Sequence, residues 1–446
     1  MSKDVRERSI DPASQDMLDL CQRAGLETAW DRLEKQQPQC GFGELGLCCR
    51  NCNMGPCRID PFGEGASKGV CGATADIIVA RNLLRMIAAG AAAHSDHGRG
   101  VAHTFKLVSE GKAPSYQVKD QAKMERLMEE YGVESQMALA EAIMAEFGRQ
   151  EGPIRFTRRA PAKRVELWEK LGIDPRGIDR EIVEIMHRTH IGVDNDPVHL
   201  ILQGLRASIA DGWGGSMIAT ELQDVLFGTP TPTFSEANLG VLEPNKVNII
   251  VHGHEPLLSE MIVAAAAEQE MVDLAKKEGA VGINVAGMCC TGNEVLMRHG
   301  VPVAGNFLQQ ELAVATGAVE AMVVDIQCIM PALGALAGCF HTKFISTSPK
   351  AKFPGATHME FREETAMQTA RAIVEAAVLN YASRNPAKVH IPNIKTKCMV
   401  GFSVEAIVSA LGGSLDPLLG AIKSGAIRGL GAVVGCNNPK IVHDWG

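Results

Sequence analysis

"KVNIIVHG", residues 246–253, carries four β-branched residues, Val247, Ile249, Ile250 and Val251, and closes on Gly253. Its apolar run is continuous instead of alternating, the mark of a strand covered on both faces, as in the middle of a parallel sheet. An apolar helical pattern follows over residues 257–276, and then "GAVGINVAG" (279–287), "VPVAGN" (301–306), "AMVVDI" (321–326) and "KFISTS" (343–348) repeat the strand signature with helical stretches between them. Strand and helix alternating at this spacing give a parallel, doubly wound sheet.

Working outward, the upstream half has the helical period instead, as in "QMALAEAIMAEFGRQ" (136–150) and "VELWEKLGI" (165–173). Downstream, "FSVEAIVSALGG" (402–413) and "DPLLGAIKSG" (416–425) read as helices and "IRGLGAVVG" (427–435) as a strand. The expected organisation is a multidomain α/β protein. A mostly helical domain at 1–235 carries an N-terminal cysteine cluster, a Rossmann-like doubly wound domain occupies 236–396, and a second Rossmann-like domain starts at 397–446 and is incomplete.

With 446 residues the chain exceeds one ordinary core. A formal charge of −8 argues against a nucleic-acid partner, whose phosphates need a positive face. The start "MSKDVRERSIDPASQD" has no apolar signal region, and no uninterrupted run of eighteen apolar residues points to a membrane span. Thirteen cysteines in such a chain point to metal in a reducing compartment more than to disulfides, and a cytoplasmic location is expected.

Six of those cysteines fall within residues 40–71. Cys49, Cys52, Cys57 and Cys71 stand in a loop punctuated by Gly and Pro, a donor set for a [4Fe–4S] cluster or for structural zinc. Their uneven spacing and the two spare thiols alongside favour iron. The spares, Cys40 and Cys48, are too few for a cubane, but an identical pair across a two-fold axis would complete one.

A second donor set sits where the strands should end. His252 and His254 close "NIIVHGH", Cys289 and Cys290 follow "GINVAGM", Cys328 follows "AMVVDIQ", and Cys436 follows "GAVVG". Ligands of open parallel sheets bind beyond the strands' carboxyl ends, so these donors are placed to converge. Separately, "AAAHSDHGRGVAHT" (91–104) spaces His94, His97 and His103 at i, i+3 and i+9 of a helix. Such a slow spiral of groups titrating near neutrality suits proton passage, and equally describes a solvated polar stripe.

"CGFGELGLCCRNCNMGPCRIDPFG" (40–63), "GVDNDPVHLILQGLRASIADGWGGSMIATEL" (192–222), "VHGHEPLLSEMIV" (251–263) and "GMCCTGNEVLMRHGVPVAGNFLQQELA" (287–313) resemble the nickel–iron–sulfur carbon monoxide dehydrogenases of anaerobes. The resemblance implies that Cys49, Cys52, Cys57 and Cys71 hold one [4Fe–4S] cluster per subunit and that Cys40 and Cys48 share another across a homodimer. It implies that His254, Cys290, Cys328 and Cys436 hold the Ni–Fe–S active cluster, with His254 on the pendant iron. His94 becomes the acid–base group of a histidine ladder, with His97 and His103 further along. Cys21, Cys289, Cys339 and Cys398 match no ligand of the family. The implied reaction is CO with water to CO2, two protons and two electrons, the electrons leaving to a ferredoxin-like acceptor. Two departures accompany it. Gly100 replaces a rung of the ladder, leaving about 9 Å of helix rise for a water to bridge. The family's active cluster also takes two more cysteines and a catalytic lysine from a segment past residue 446, so a fragment or a shortened homologue is expected. The alternatives are a hybrid-cluster protein acting as hydroxylamine reductase, or a non-catalytic iron–sulfur electron-transfer subunit.

Overall fold

The computed structural model describes residues 4–436 and 438–442. It forms two compact units, one of Gln37–Lys112 with Tyr116–Leu226, the other of Met1–Gln36, Ala113–Ser115 and Phe227–Gly446.

The first unit is helical apart from a two-residue pair of strands, β1 (Cys48–Cys49) and β2 (Cys57–Arg58), which sets Cys49 opposite Cys57. Its axis is the long helix Ala75–Ser109, against which the helices Gln136–Gly148, Ile178–Arg188 and Pro197–Ala210 pack. Ala80, Leu84 and Ala88 recur on one face and meet Ile185, Leu200 and Ala207 of two of those neighbours. Among the described residues this is also the one helix long and apolar enough, by length and composition, to cross a membrane. Arg81, Arg85, Asp96 and Arg99 interrupt it, which is why no unbroken apolar run shows in the sequence. Asp196 caps the helix Pro197–Ala210 by accepting from the N–H groups of Val198 and His199, with Pro197 at the first position. That helix then widens into a π-helical turn, Asp211–Gly215, before the next begins at Ser216.

The second unit is built on an eight-stranded sheet. Its strands are β3 (Thr233–Ala237), β4 (Val247–Gly253), β5 (Ile283–Met288), β6 (Val303–Gly305), β7 (Val319–Val324), β8 (Lys343–Ser346), β9 (Thr357–His358) and β10 (Thr396–Val400). The order across the sheet is β10-β3-β6-β5-β4-β7-β8-β9, and every pairing is parallel except β10 with β3. The chain winds from β4 through β5 to β6 in one direction, returns, and winds from β7 to β9 in the other. The sheet is therefore doubly wound, with its switch point between β4 and β7. All seven residues of β4 and all six of β7 are buried, as the continuous apolar runs require. Each fully buried Val or Ile contributes about 1.5–3 kcal/mol, so the centre of the sheet is the best-anchored part of the unit.

Three features differ from the sequence reading. Helices Pro12–Ala24 and Ala29–Lys35 belong to the sheet unit, not to a helical domain ending at 235. Met17, Leu18 and Cys21 enter the core beside Leu312, and Arg32 pairs with Glu311 at 2.8 Å. The amphipathic pattern shows a buried face but not which core receives it. The boundary expected at 397 falls inside β10, which extends the same sheet. Finally, residues 427–435 form no strand among the described residues, although the helices Val404–Ala410 and Asp416–Lys423 stand where expected. A β run becomes a strand only with a neighbour to pair with, and composition does not supply one.

Candidate functional site

In the helical unit, Cys49, Cys52, Cys57 and Cys71 line one pocket, together with Met54, Ile78 and Arg81. The β1–β2 pairing brings the first and third of these thiols together, and Gly55 lets the loop close around them. A Cβ on Gly55 would stand 2.8 Å from the carbonyl oxygen of Cys49, and Gly69 lies directly against the Cys57 side chain. The Val70 N–H points at Cys57 Sγ at 3.4 Å. The Ala73 N–H, followed by the Arg81 guanidinium, holds the Cys71 thiol below the ordinary thiol range. Four sulfurs around a close-walled pocket, with N–H groups directed at them, fit an iron–sulfur cluster. Cys40, exposed, and Cys48, half-buried, lie outside this pocket's lining. Asn82 fixes the backbone of the latter by donating to the carbonyl of Cys48 at 3.0 Å.

In the sheet unit, the strand-end donors gather at the switch point. Asp325, just past β7, is the hub. Its Oδ1 accepts from the N–H groups of His254 (2.6 Å), Glu255 (3.1 Å) and Ile326 (2.5 Å), and its Oδ2 accepts from Thr291 Oγ1 (2.6 Å). Burial pushes the carboxyl up to about 6 against those hydrogen bonds. Gly253, at φ 137°, allows this approach, since a Cβ there would overlap the carboxylate. The ends of β4, β5 and β7 are thus tied to one side chain.

The thiols lie around that hub. Cys289 donates to Cys328, which draws Cys328 below the ordinary thiol range and drives Cys289 upward. Burial, then the Cys328 and Cys436 thiols, push Cys290 up to about 12, and burial with Cys328 raises Cys436. Cys289, Gln327 and Cys328 adopt left-handed backbone at φ 58°, 62° and 58°, an uncommon conformation for side chains of this size. His252, fully buried, places Nε2 3.1 Å from the carbonyl of Cys328 and 3.3 Å from Gln310 Oε1, and burial pushes it down to about 4. Gln310 Nε2 donates to the same carbonyl at 3.0 Å. His252 and Gln310 therefore brace the turn that presents Cys328. Thiol sulfur with one imidazole suits a soft sulfur-ligated metal cage. Among the described residues, no three His, Cys, Asp or Glu side chains close at the spacing of a single metal ion.

On the long helix, His94 Nδ1 lies 2.7 Å from Asp211 Oδ1, and this hydrogen bond raises the imidazole above its ordinary range. The π-helical turn makes the contact by placing Asp211 against the helix. His97, buried, sets Nε2 2.7 Å from the side-chain nitrogen of Gln223, and His103 is exposed.

Sequence reasoning named the donors and missed Asp325, Thr291, Gln310, Asp211 and Gln223. One signal was present, because an Asp closing a fully apolar strand, as in "VVDI", is costly without partners. Nothing local marked the others.

A thiol-rich centre at the switch point of a doubly wound sheet, with a four-cysteine pocket on a helical unit, defines a class of iron–sulfur redox proteins. Residues 47–445 match the Prismane/CO dehydrogenase family, and the chain belongs to it. It is 68% identical to carbon monoxide dehydrogenase 1 of Methanosarcina mazei and 67% identical to that of Methanosarcina acetivorans, in each case over 100% of this chain and 72% of the relative. A Ni-free carbon monoxide dehydrogenase from Thermococcus sp. AM4 superposes with a TM-score of 0.98 at 56% identity, over 99% of this chain and 72% of the other.

Proposed function

We propose that this protein oxidises CO with water, reversibly, to CO2, two protons and two electrons. Whole-chain identity of 68% to a carbon monoxide dehydrogenase carries that reading. His254, Cys290, Cys328 and Cys436 are the residues that would hold a Ni–Fe–S active cluster, on the backbone that Asp325, His252 and Gln310 brace. When bound, that cluster supplies Lewis-acid metal chemistry and an electron sink. The chain's own part is to present the donors, to exclude water around the buried hub, and to manage protons. With Nδ1 engaged by Asp211, His94 exchanges a proton at Nε2. His97 and His103 would carry it along the helix, a water spanning the gap left at Gly100.

Electrons would pass to a [4Fe–4S] cluster in the Cys49/Cys52/Cys57/Cys71 pocket, then to one that Cys40 and Cys48 share with a second copy of the chain, and out to a ferredoxin-like acceptor. A homodimer is supported by an exposed apolar stripe on the long helix, Val79, Leu83 and Met86, beside exposed Val198 and Leu205 on the helix packed against it. Asn82, which bonds the backbone of Cys48, lies within that stripe. A cytoplasmic location accords with free thiols in these numbers.

The test is CO-dependent reduction of a viologen dye by the anaerobically produced gene product, grown with and without nickel. Nickel-dependent CO oxidation is expected. Hydroxylamine reduction without CO oxidation would establish the hybrid-cluster alternative, and intact clusters with neither activity would establish an electron-transfer subunit.

A further inference from the structure

Arg81 is 1% exposed and lines the pocket of Cys49, Cys52, Cys57 and Cys71. Its Nη2 donates to Asn195 Oδ1 at 2.9 Å and to the carbonyl oxygen of Asp194 at 3.4 Å. Both of these acceptors are uncharged, and the guanidinium also hydrogen-bonds the Cys71 thiol of the pocket. The Asp194 carboxylate is itself engaged elsewhere, 3.0 Å from His199 and 3.4 Å from Arg188. The buried Nε of Arg81 has no hydrogen-bond partner within the chain, and no carboxylate pairs with the guanidinium among the described residues. A buried cation with no carboxylate partner is costly, and buried charges in native folds are as a rule paired or set against a metal centre. Arginine cannot escape that cost by losing its proton.

The missing anion has an evident identity if the four thiols hold a cluster. A [4Fe–4S] cubane on four thiolates carries net negative charge, and one-electron reduction adds another unit of it. A fixed cation at the pocket wall stabilises the reduced form more than the oxidised form. Net charge and hydrogen bonds to the sulfurs are among the levers that set such potentials. Arg81 is also held rigidly. The 194–195 segment that anchors it belongs to the "GVDNDP" motif (192–197), which the donor sets leave without a role.

We propose that Arg81 is the potential-setting positioning residue of the Cys49/Cys52/Cys57/Cys71 cluster: its buried guanidinium is the cluster's internal counter-ion and raises its reduction potential. The cluster thereby accepts one electron at a time, each reduction followed by release of that electron to the next acceptor. This inference rests on the iron–sulfur reading of the pocket, and the experiment separates the two.

The dimeric protein is titrated electrochemically with EPR detection, following the signal that Cys71→Ala removes, alongside iron and sulfide analysis. An absence of any such signal in the unmodified protein overturns the cluster reading itself. With the signal present, Arg81→Gln is expected to lower the reduced-to-oxidised ratio at a fixed poise by about tenfold, equivalent to about 59 mV for one electron. Arg81→Lys is expected to retain most of the unmodified potential. Loss of the cluster in Arg81→Gln with retention in Arg81→Lys also supports the counter-ion role, because charge alone then rescues it. Unmodified potentials in both variants, or loss of the cluster in both, overturn the proposal.

Discussion

The backbone N–H of His254 donates to Asp325 Oδ1 at 2.6 Å, so the first residue past β4 is fixed by the first residue past β7. These strands flank the switch point, and the same carboxylate also holds Thr291, next to Cys290, and Ile326, two residues before Cys328. One side chain thus sets the spacing of three candidate metal-binding segments.

Asp325→Ala strips acceptors from three N–H groups and one hydroxyl, each of which costs about 1–3 kcal/mol when left buried and unpaired, with less than additive totals. Asp325→Asn keeps an acceptor toward the N–H groups, and its amide can donate to the Thr291 hydroxyl. We expect Asp325→Ala to lower the unfolding free energy by about 3 kcal/mol and Asp325→Asn by less than half of that. In both variants nickel content should fall more than the iron of the four-cysteine pocket, as measured by metal analysis of the purified protein. Unchanged nickel in the Ala variant would remove Asp325 from any positioning role.

The His94–Asp211 hydrogen bond raises the folded-state pKa of the imidazole. A raised folded value means stabilisation that is full below the unfolded value of about 6.5 and is lost as pH rises through the folded value. Asp211→Asn should therefore move the His94 midpoint back toward about 6.5 and weaken the protein below that pH but not well above it. Imidazole carbon shifts in labelled protein report the midpoint directly. An unmoved midpoint would refute the pairing as its cause.

The parts of the fold that sequence made legible are those with a strong local signature. β4 and β7 are covered on both faces, so their apolar runs are continuous, and β5 and β8 share enough of that character to be found. β9 is a two-residue pairing, and β3 and β10 lie at the opposite edge with exposed Phe234 and Met399, so none of the three has a comparable run. The site divides in the same way. Cysteine spacing is local and survives in the sequence, whereas Asp211 meets His94 across 117 residues and Asp325 meets His254 across 71. Such pairings are products of packing, which the periodicity of a single helix or strand does not encode.

The two cysteine sets should separate under mutation. Cys48→Ala is expected to remove one cluster per dimer and leave the Cys49/Cys52/Cys57/Cys71 pocket loaded in both subunits, by iron counting against dimer concentration. Cys57→Ser should slow dye reduction while CO binding at nickel stays visible by infrared spectroscopy. Loss of one cluster per monomer in the first case, or of CO binding in the second, would contradict the assigned roles.

The last prediction concerns how His94 comes to meet Asp211. A Cβ on Gly98 would overlap the carbonyl of Gly215, and a Cβ on Gly215 would stand 2.9 Å from the carbonyl carbon and oxygen of His94. The long helix and the π-helical turn therefore touch backbone to backbone, and neither contact is to a side chain that could swing aside. Helix propensity alone predicts that Gly98→Ala stabilises by about 0.8–1 kcal/mol, because Gly98 sits in a helix interior. Overpacking against rigid backbone costs about 1–3 kcal/mol. The clash outweighs the propensity, so we expect Gly98→Ala to lower the unfolding free energy by about 1–2 kcal/mol in denaturant titration. The methyl must push the turn outward, lengthening the 2.7 Å contact to Asp211, and the His94 midpoint should fall in parallel with stability. A stabilised Gly98→Ala protein with an unmoved His94 midpoint would show that the helix and the turn have room to spare, and that the π-helical turn is not what holds Asp211 in place.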